Sequence, residues 1–356
     1  MTDNTTNNQP HKRRVRYSGK YPKRFEEKYK ELQPEKYADM AEHIKAKGGT
    51  PAGTHISICV KEILEFLDIK PGQQGLDATF GYGGHTEHML GCLQGSGHIC
   101  ALDVDPIESE KSKARLRARG YGEDLLTVHL MNFADIDKIA AERGPFDFIL
   151  ADLGVSSMQI DNPERGFSFK VNGPLDLRLN PHKGKSAAER LQEVNFEELI
   201  GMLEENADEP YARQIASAVL NTRKKGLPLA TTLDLKGVIE KALEKECVGL
   251  SVKDRKDLVK KSCQRTFQAL RIDVNREFEV LYAFLEKLPG ALKSGGRCAI
   301  LTFHSGEDRL VKKAFKEGQR EGLYADVARD VIRPSAEECV ANPRARSTKM
   351  RWAIKA

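Results

Sequence analysis

The sequence predicts an α/β fold: a doubly wound, mostly parallel sheet interrupted by a helical insertion. From residue 58 to 153, short apolar runs alternate with segments of helical periodicity, the pattern of successive βα units. A glycine turn, Gly81-Tyr82-Gly83-Gly84, follows the first run, and the second run ends on Asp103. From about Gln159 to Lys261 no segment reads as a central strand, and the strand pattern then resumes.

In order, Ile58 through Leu67 has helical spacing, and Pro71-Gly72 closes it. Gln74 to Thr79 and Gly97 to Asp103 are expected as strands, with a helix opening between them through Met89 and Leu90. Pro106, a favourable first-turn residue, starts a helix to Arg119. Leu126 to Leu130 reads as a third strand and Asp135 to Arg143 as a helix. Phe146 to Leu153 is an apolar run flanked by acids, as expected of a buried parallel strand whose carboxyl end reaches a ligand crevice.

Helical segments then fall at Glu189 to Val194, Phe196 to Glu204, Tyr211 to Arg223 and Leu233 to Glu246. A helix from Val274 to Leu288, a turn at Lys293-Ser294-Gly295-Gly296 and a strand Arg297 to Phe303 follow. Asp308 to Glu317 completes the helices, and Lys349 to Ile354 is expected as an antiparallel last strand. This divides the chain into an extension over 1–53, basic and partly disordered or helical, a core over 54–158 and 265–356, and a helical insertion over 159–264 that recognises substrate.

Composition narrows the class. With 356 residues, 40% of them hydrophobic and 31% charged, the chain is long enough for one core and a second unit. No apolar run is long enough for a membrane span, and Met1 to Pro10 lacks the core of a secretory signal, so a cytoplasmic location is expected. The seven cysteines show no C-x-x-C pair and no finger-like histidine spacing, which argues against structural zinc and against a disulfide framework. Cys100 and Cys298 sit in apolar strands as small hydrophobes. No metal site is expected.

The formal net charge of +5 permits a polyanionic partner, and its distribution favours one. Basic residues cluster at Lys12 to Arg24, Arg223-Lys224-Lys225, Lys253 to Lys261, and Arg344 to Arg351. Each alone is an ordinary solvated face; together with a cofactor loop they make nucleic acid a sensible substrate class.

The loop itself decides between cofactors. In Gly81-Tyr82-Gly83-Gly84-His85-Thr86, Thr86 stands where the third glycine of a dinucleotide fingerprint belongs, so a nicotinamide cofactor is second choice. The order Asp77, Gly81, Gly83, with Asp103 placed to take ribose hydroxyls, resembles the loop by which many methyltransferases hold S-adenosylmethionine.

Eight stretches carry a closer likeness. They are His55-Ile56-Ser57, Asp77 to His85, Asp152-Leu153-Gly154-Val155-Ser156-Ser157-Met158-Gln159, Arg165-Gly166-Phe167-Ser168-Phe169, Gly173-Pro174-Leu175-Asp176-Leu177-Arg178, Arg265 to Ile272, Phe303-His304-Ser305 and Asn342-Pro343-Arg344-Ala345-Arg346-Ser347. Together they resemble the bacterial family of small-subunit ribosomal RNA cytosine-N4 methyltransferases, methyltransferase H, over nearly everything from His55 onward.

That resemblance implies a Rossmann-like S-adenosylmethionine-dependent methyltransferase fold and methyl transfer to the N4 amine of a cytidine in 16S ribosomal RNA. The RNA would be met within the small subunit, by a monomer or a homodimer. It places cofactor contacts on Gly83, Gly84, His85, Asp103, Phe133, Asp152 and Gln159. Asp152 is also a candidate catalytic acceptor for the amine, with a pure cofactor contact as the alternative. The related amino-methylating DNA enzymes carry two prolines and an aromatic after the acid at this strand end, where this chain has Leu153-Gly154-Val155. Two positions depart from the family: Gly306 replaces a usual leucine, and Asp273 occupies a variable site. Phe167, Phe169 or Tyr211 could receive a flipped base, and Arg165, Arg178, Arg213 and Arg223-Lys224-Lys225 suggest RNA recognition by the insertion.

Overall fold

The computed structural model describes residues 57–356; the expected extension and His55-Ile56 lie outside them. Seven strands form one sheet in the order β3-β2-β1-β4-β5-β7-β6. They are β1 Gln74–Asp77, β2 His98–Asp103, β3 Leu126–Leu130, β4 Phe146–Asp152, β5 Leu292–Thr302, β6 Tyr324–Val327 and β7 Lys349–Lys355. The first five are parallel, with Asp77 beside Ala101 and Leu150, and Asp152 beside Leu301. β7 runs antiparallel to both β5 and β6. The chain order reverses between β1 and β4, so the strand ends there open a crevice.

Strand residues bury alternate faces because successive side chains point to opposite sides. On one face Leu76, Cys100, Leu102, Ile149, Ala151 and Ile300 pack with Ile136 and Ile139 of α4 (Ile136–Arg143) and with Phe284 and Leu288 of α11 (Glu277–Ala291). On the other, Ile99, Ala101, Phe148, Leu150 and Leu301 pack with Ile63 of α1 (Val60–Leu67), Met89 and Leu93 of α2 (Gly84–Leu93), and Leu116 of α3 (Pro106–Ala118). The thiol of Cys298 is fully buried, and burial pushes its pKa far up, so it stays a neutral hydrophobe.

The insertion has its own core. After α5 (Ser157–Asp161) come α6 (Ala187–Glu193), α7 (Phe196–Ala207), α8 (Ala212–Lys224), α9 (Thr232–Ala242) and α10 (Val252–Asn275). Leu191, Leu203, Ile215, Val219, Leu235 and Ile239 pack there with Cys263, Phe267 and Leu270 of α10. Because that apolar stripe is continuous, α10 runs unbroken across residues 264 and 265, where the sequence placed the end of the insertion. The expected start of a helix at Val274 is corrected: α10 ends at Asn275, Arg276 turns left-handed with φ 52°, and α11 begins at Glu277.

Two other elements differ from expectation. Lys293 to Gly296 is a bulge inside β5, whose pairing with β4 shifts between Phe146 and Phe148. β6, a short edge strand following α12 (Ser305–Arg320), went unread because four residues give too little periodicity. Of the departures noted above, Gly306 makes room for Phe278: a Cβ at Gly306 would lie 2.6 Å from that ring. Asp273 accepts from Arg190 Nε at 2.8 Å and ties α10 to α6. α13 (Ala336–Ala341) precedes β7, and among the described residues no helix is long and apolar enough to cross a membrane.

Candidate active site at the strand ends

The site is assembled by backbone hydrogen bonds between loops that leave neighbouring strands. After β1, Phe80 N donates to Leu102 O at 2.8 Å, drawing the glycine turn over the end of β2. Gly81 N then donates to Asp103 Oδ2 at 2.7 Å, and Asp105 N donates to Asp103 Oδ1 at 2.8 Å. Met131 N donates to Asp103 O at 2.9 Å, which brings the end of β3 alongside. Across β1, Asp152 N donates to Thr79 Oγ1 at 2.6 Å. Four strand ends are thereby fixed to one another within a few residues of each carboxyl terminus.

Gly83 is where this arrangement is most demanding of sequence. It caps α2 with φ 75°, and a Cβ there would lie 2.9 Å from the ring of Phe80. No side chain caps α2, so the amides of its first turn, at Gly84 and His85, have no side-chain acceptor from the cap, a polarity suited to an anionic group. Ser112 Oγ donates to Gly81 O at 2.7 Å and Arg115 Nη2 to Tyr82 O at 2.6 Å, with the guanidinium 4.1 Å from the Tyr82 ring centre. The glycine turn is thus held by α3.

The acids at the strand ends are shaped by burial. Asp77 is 1% exposed, accepts from Thr86 Oγ1 at 2.6 Å and Thr79 N at 3.0 Å, and has its pKa raised by burial despite those bonds. It braces the loop from within. Burial also pushes Asp103 up to about 6, against the lowering effect of the Asp105 and Gly81 amides. Its two oxygens each accept one amide and keep further lone pairs for ligand hydroxyls.

His85 Nε2 lies 3.4 Å from Asp152 Oδ2, an ion contact rather than a well-formed hydrogen bond. Burial alone would lower the pKa of this imidazole; the Asp152 carboxylate beside it, with Asp77 and Glu338 nearby, turns the net shift upward. Asp152 Oδ1 is buried and has no hydrogen-bond partner among the described residues. A buried carboxylate oxygen left unpaired is costly unless a donor completes it.

The other two predicted residues sit differently. Phe133 begins a single 3-10 turn after β3, its ring half-buried and edge-on to Phe284 at 5.2 Å. Gln159, on α5, donates from Nε2 to Asp105 Oδ2 at 2.8 Å and accepts Ser156 N on Oε1 at 2.9 Å. It therefore joins the site through Asp105, a residue the sequence reading passed over. Asp105 is fully buried; it caps α3 by accepting Ile107 N and Glu108 N, and Arg165 Nη1 reaches its Oδ2 at 2.6 Å. The pair Asp105-Pro106 is a helix-start signal through which the sequence could have found it.

The arginines that suggested RNA contact are largely taken up inside the chain. Arg178 forms a two-pronged pair with Asp176 at 2.7 and 2.8 Å. Arg223 Nη1 donates to the carbonyls of Leu191, Gln192 and Val194, closing the end of α6. Arg213 lies 5.5 Å over the Phe196 ring. Phe169 packs on Phe267 at 5.4 Å, and Phe167 and Tyr211 lie against the insertion core. Lys224, Lys225 and the cations Lys253, Arg255, Lys256, Lys260 and Lys261 on α10 are exposed.

Residues 52–356 match the model of the MraW methylase family. The chain belongs to this family. It is 68% identical over 346 residues to ribosomal RNA small subunit methyltransferase H 1 of Agathobacter rectalis, covering 97% of this chain and 98% of that protein. The protein of the same name from Lachnoclostridium phytofermentans is 65% identical over 353 residues, 99% of this chain and 95% of that one. A solved rRNA methylase from Streptococcus thermophilus aligns with a TM-score of 0.39 at 12% identity over 85% of this chain and 99% of that one, too distant to add to the strand order seen directly.

The cofactor of this MraW methylase is S-adenosylmethionine. The site fits it on three counts: an acid at the end of β2 with lone pairs to spare, uncapped amides at the start of α2, and a glycine turn whose one tight position excludes a side chain.

Proposed function

We propose that the protein transfers a methyl group from S-adenosylmethionine to the N4 amine of a cytidine in 16S ribosomal RNA of the small subunit. The observation that carries the acceptor half of this reading is the buried, unpaired Oδ1 of Asp152. The ribosomal substrate is supported by the names of the two relatives above, 68% and 65% identical to this chain.

When bound, S-adenosylmethionine supplies an electrophilic methyl on a sulfonium whose thioether leaves unaided. The residues of this chain have to bind, orient and accept. Asp103 would hold the ribose hydroxyls, the amides of Gly84 and His85 would take the carboxylate end, and Phe133 would contact the adenine. Cytosine N4 is a poor nucleophile because its lone pair is delocalised into the ring. Asp152 Oδ1, accepting an N4 hydrogen, localises that pair and takes up the proton that leaves as the nitrogen–carbon bond forms. His85, drawn toward its charged form, steadies the other oxygen of Asp152. Bringing the amine to about 3–3.5 Å from the methyl is the remaining task, and it is one of position.

The test is incubation with labelled S-adenosylmethionine and, separately, small subunits, naked ribosomal RNA and DNA, followed by mass mapping of the modified nucleotide. Label in N4-methylcytidine of the small-subunit RNA is expected. Label in DNA would establish a DNA amine methylase instead, and no label with intact cofactor binding would indicate an assembly factor that keeps the fold. Asp152→Asn separates the two roles of Asp152: an asparagine variant that binds cofactor and methylates at the parent rate removes it as acceptor.

A further inference from the structure

One buried hydrogen-bonded chain leads from the donor site into the insertion. Asp103 Oδ1 accepts Asp105 N, so the backbone of Asp105 sets one side of the Asp103 carboxylate. The Asp105 side chain is fully buried and holds a second cluster: Gln159 Nε2 at 2.8 Å and Arg165 Nη1 at 2.6 Å both donate to its Oδ2. Arg165 is itself only 6% exposed. Its other arm, Nη2, donates to Arg178 O at 3.0 Å and Leu179 O at 2.8 Å, in the stem of the insertion. The stem is pinned from its far side as well, because Leu179 N donates to Asn275 Oδ1 at 2.7 Å and Asn275 Nδ2 donates to Leu177 O at 2.8 Å.

The residue next to Arg165 shows how closely this stem is packed. Gly166 has φ 72°, and a Cβ there would fall on the carbonyl oxygen of Pro174. Leu177 N also donates to Arg165 O at 3.2 Å. The segment around Arg165 and the segment 174–179 are thus joined by main chain, by side chain and by a contact that admits only glycine.

A buried carboxylate whose cation is removed has to turn toward water or take up a proton. For Asp105, a side chain that turns away moves the residue whose amide holds Asp103. A lysine cannot replace the arginine, since a single ammonium does not span Asp105 Oδ2 and two carbonyls in the plane of one fork.

We propose that Arg165 is a positioning residue for the donor site. By clamping Asp105 it sets the carboxylate of Asp103, and with the other arm of its guanidinium it holds the stem at Arg178 and Leu179. Occupancy of the donor site and order in the stem are therefore one linked equilibrium, reciprocal by thermodynamic necessity. The insertion learns that the donor is in place before any RNA is touched. The inference rests on Asp103 being the residue that holds the donor's ribose.

The test is calorimetric titration with S-adenosylhomocysteine, paired with hydrogen exchange over residues 174–180, using the full chain. Arg165→Lys and Arg165→Met should each weaken binding about tenfold or more, an effect of the size of one lost charged contact. Asn275→Ala loosens the stem without touching Asp103 or Asp105 and should weaken binding about threefold. Arg223→Ala, which opens the end of α6 only, should leave the affinity within about twofold of the parent. Ligand should slow exchange at Leu177 and Leu179 in the parent but not in Arg165→Lys.

Folded Arg165 variants that bind like the parent would overturn the proposal. So would an equal loss in Arg223→Ala, which marks general loosening, or a parent stem whose exchange ignores the ligand. A parent that does not bind S-adenosylhomocysteine at all would instead overturn the assignment of the donor site.

Discussion

The strand ends and the helical insertion use charge in opposite ways. At the strand ends, Asp77 and Asp105 are buried acids and Asp103 is half-buried; Asp77 and Asp103 are held by backbone amides and a hydroxyl, burial raises both, and only Asp105 takes a cation, Arg165. In the insertion, the arginines are the structural groups: Arg178, Arg190 and Arg223 pair with acids or close helix ends. Fixed amides give the first region a set of oriented donors around its acids. The second is basic in composition, yet much of that charge is spent on its own architecture. A cluster of cations in a sequence therefore says less about a polyanion than the share of them left exposed.

The sharpest way to break the comparison is at Asp103. Asp103→Ala should weaken S-adenosylhomocysteine about 100-fold in a calorimetric titration, the cost of two hydrogen bonds to a charged acceptor. A loss of less than about fivefold would mean that the ribose is held elsewhere. In the insertion, replacing Lys253, Lys256, Lys260 and Lys261 by Gln should weaken RNA about tenfold or more and flatten its salt dependence by about three to four units of slope, roughly one for each lost phosphate contact. Cofactor affinity should not move, and an unchanged salt slope would place the RNA on another face.

The pH dependence sharpens the same contrast. The Asp103 carboxyl, pushed up to about 6, binds a proton in the folded state before an ordinary carboxyl would. Its raised value costs stability above pH 6, and that cost fades as the pH falls through 6 toward 4. Ribose hydroxyls donate to the ionised form, so donor affinity should run the other way and be about tenfold weaker at pH 5 than at pH 7. A flat affinity profile between those pH values would show that the ligand does not meet an ionised Asp103. The smallest effect expected is on Arg223→Ala, which leaves three carbonyls without their donor and should cost roughly 1–2 kcal/mol in denaturant unfolding with no change in cofactor binding.

Most of the sheet was legible because its strands are local apolar runs punctuated by glycine, proline and acids. β1 to β4 begin and end within two residues of expectation, and β7 is antiparallel as anticipated. The long helix α10 was not, since its first three turns are almost wholly exposed and charged and show an apolar stripe only once Cys263, Phe267 and Leu270 meet the rest of the insertion. Gly83 and Asp103 were likewise visible as types at a spacing. Asp105 was given no role, and Arg165 was expected to contact RNA, whereas it is buried against Asp105.

Sequence alone determined the local chemistry of this protein: where strands end, where glycine must sit, which acids stand at those ends, and which family the chain resembles. Only the tertiary structure decided which charges face one another. Asp105 and Arg165 are 60 residues apart in the chain and 2.6 Å apart in space. Nothing in the spacing of either residue encodes that distance, because it is set by two cores, the sheet's and the insertion's, that must both close before the guanidinium can reach the acid.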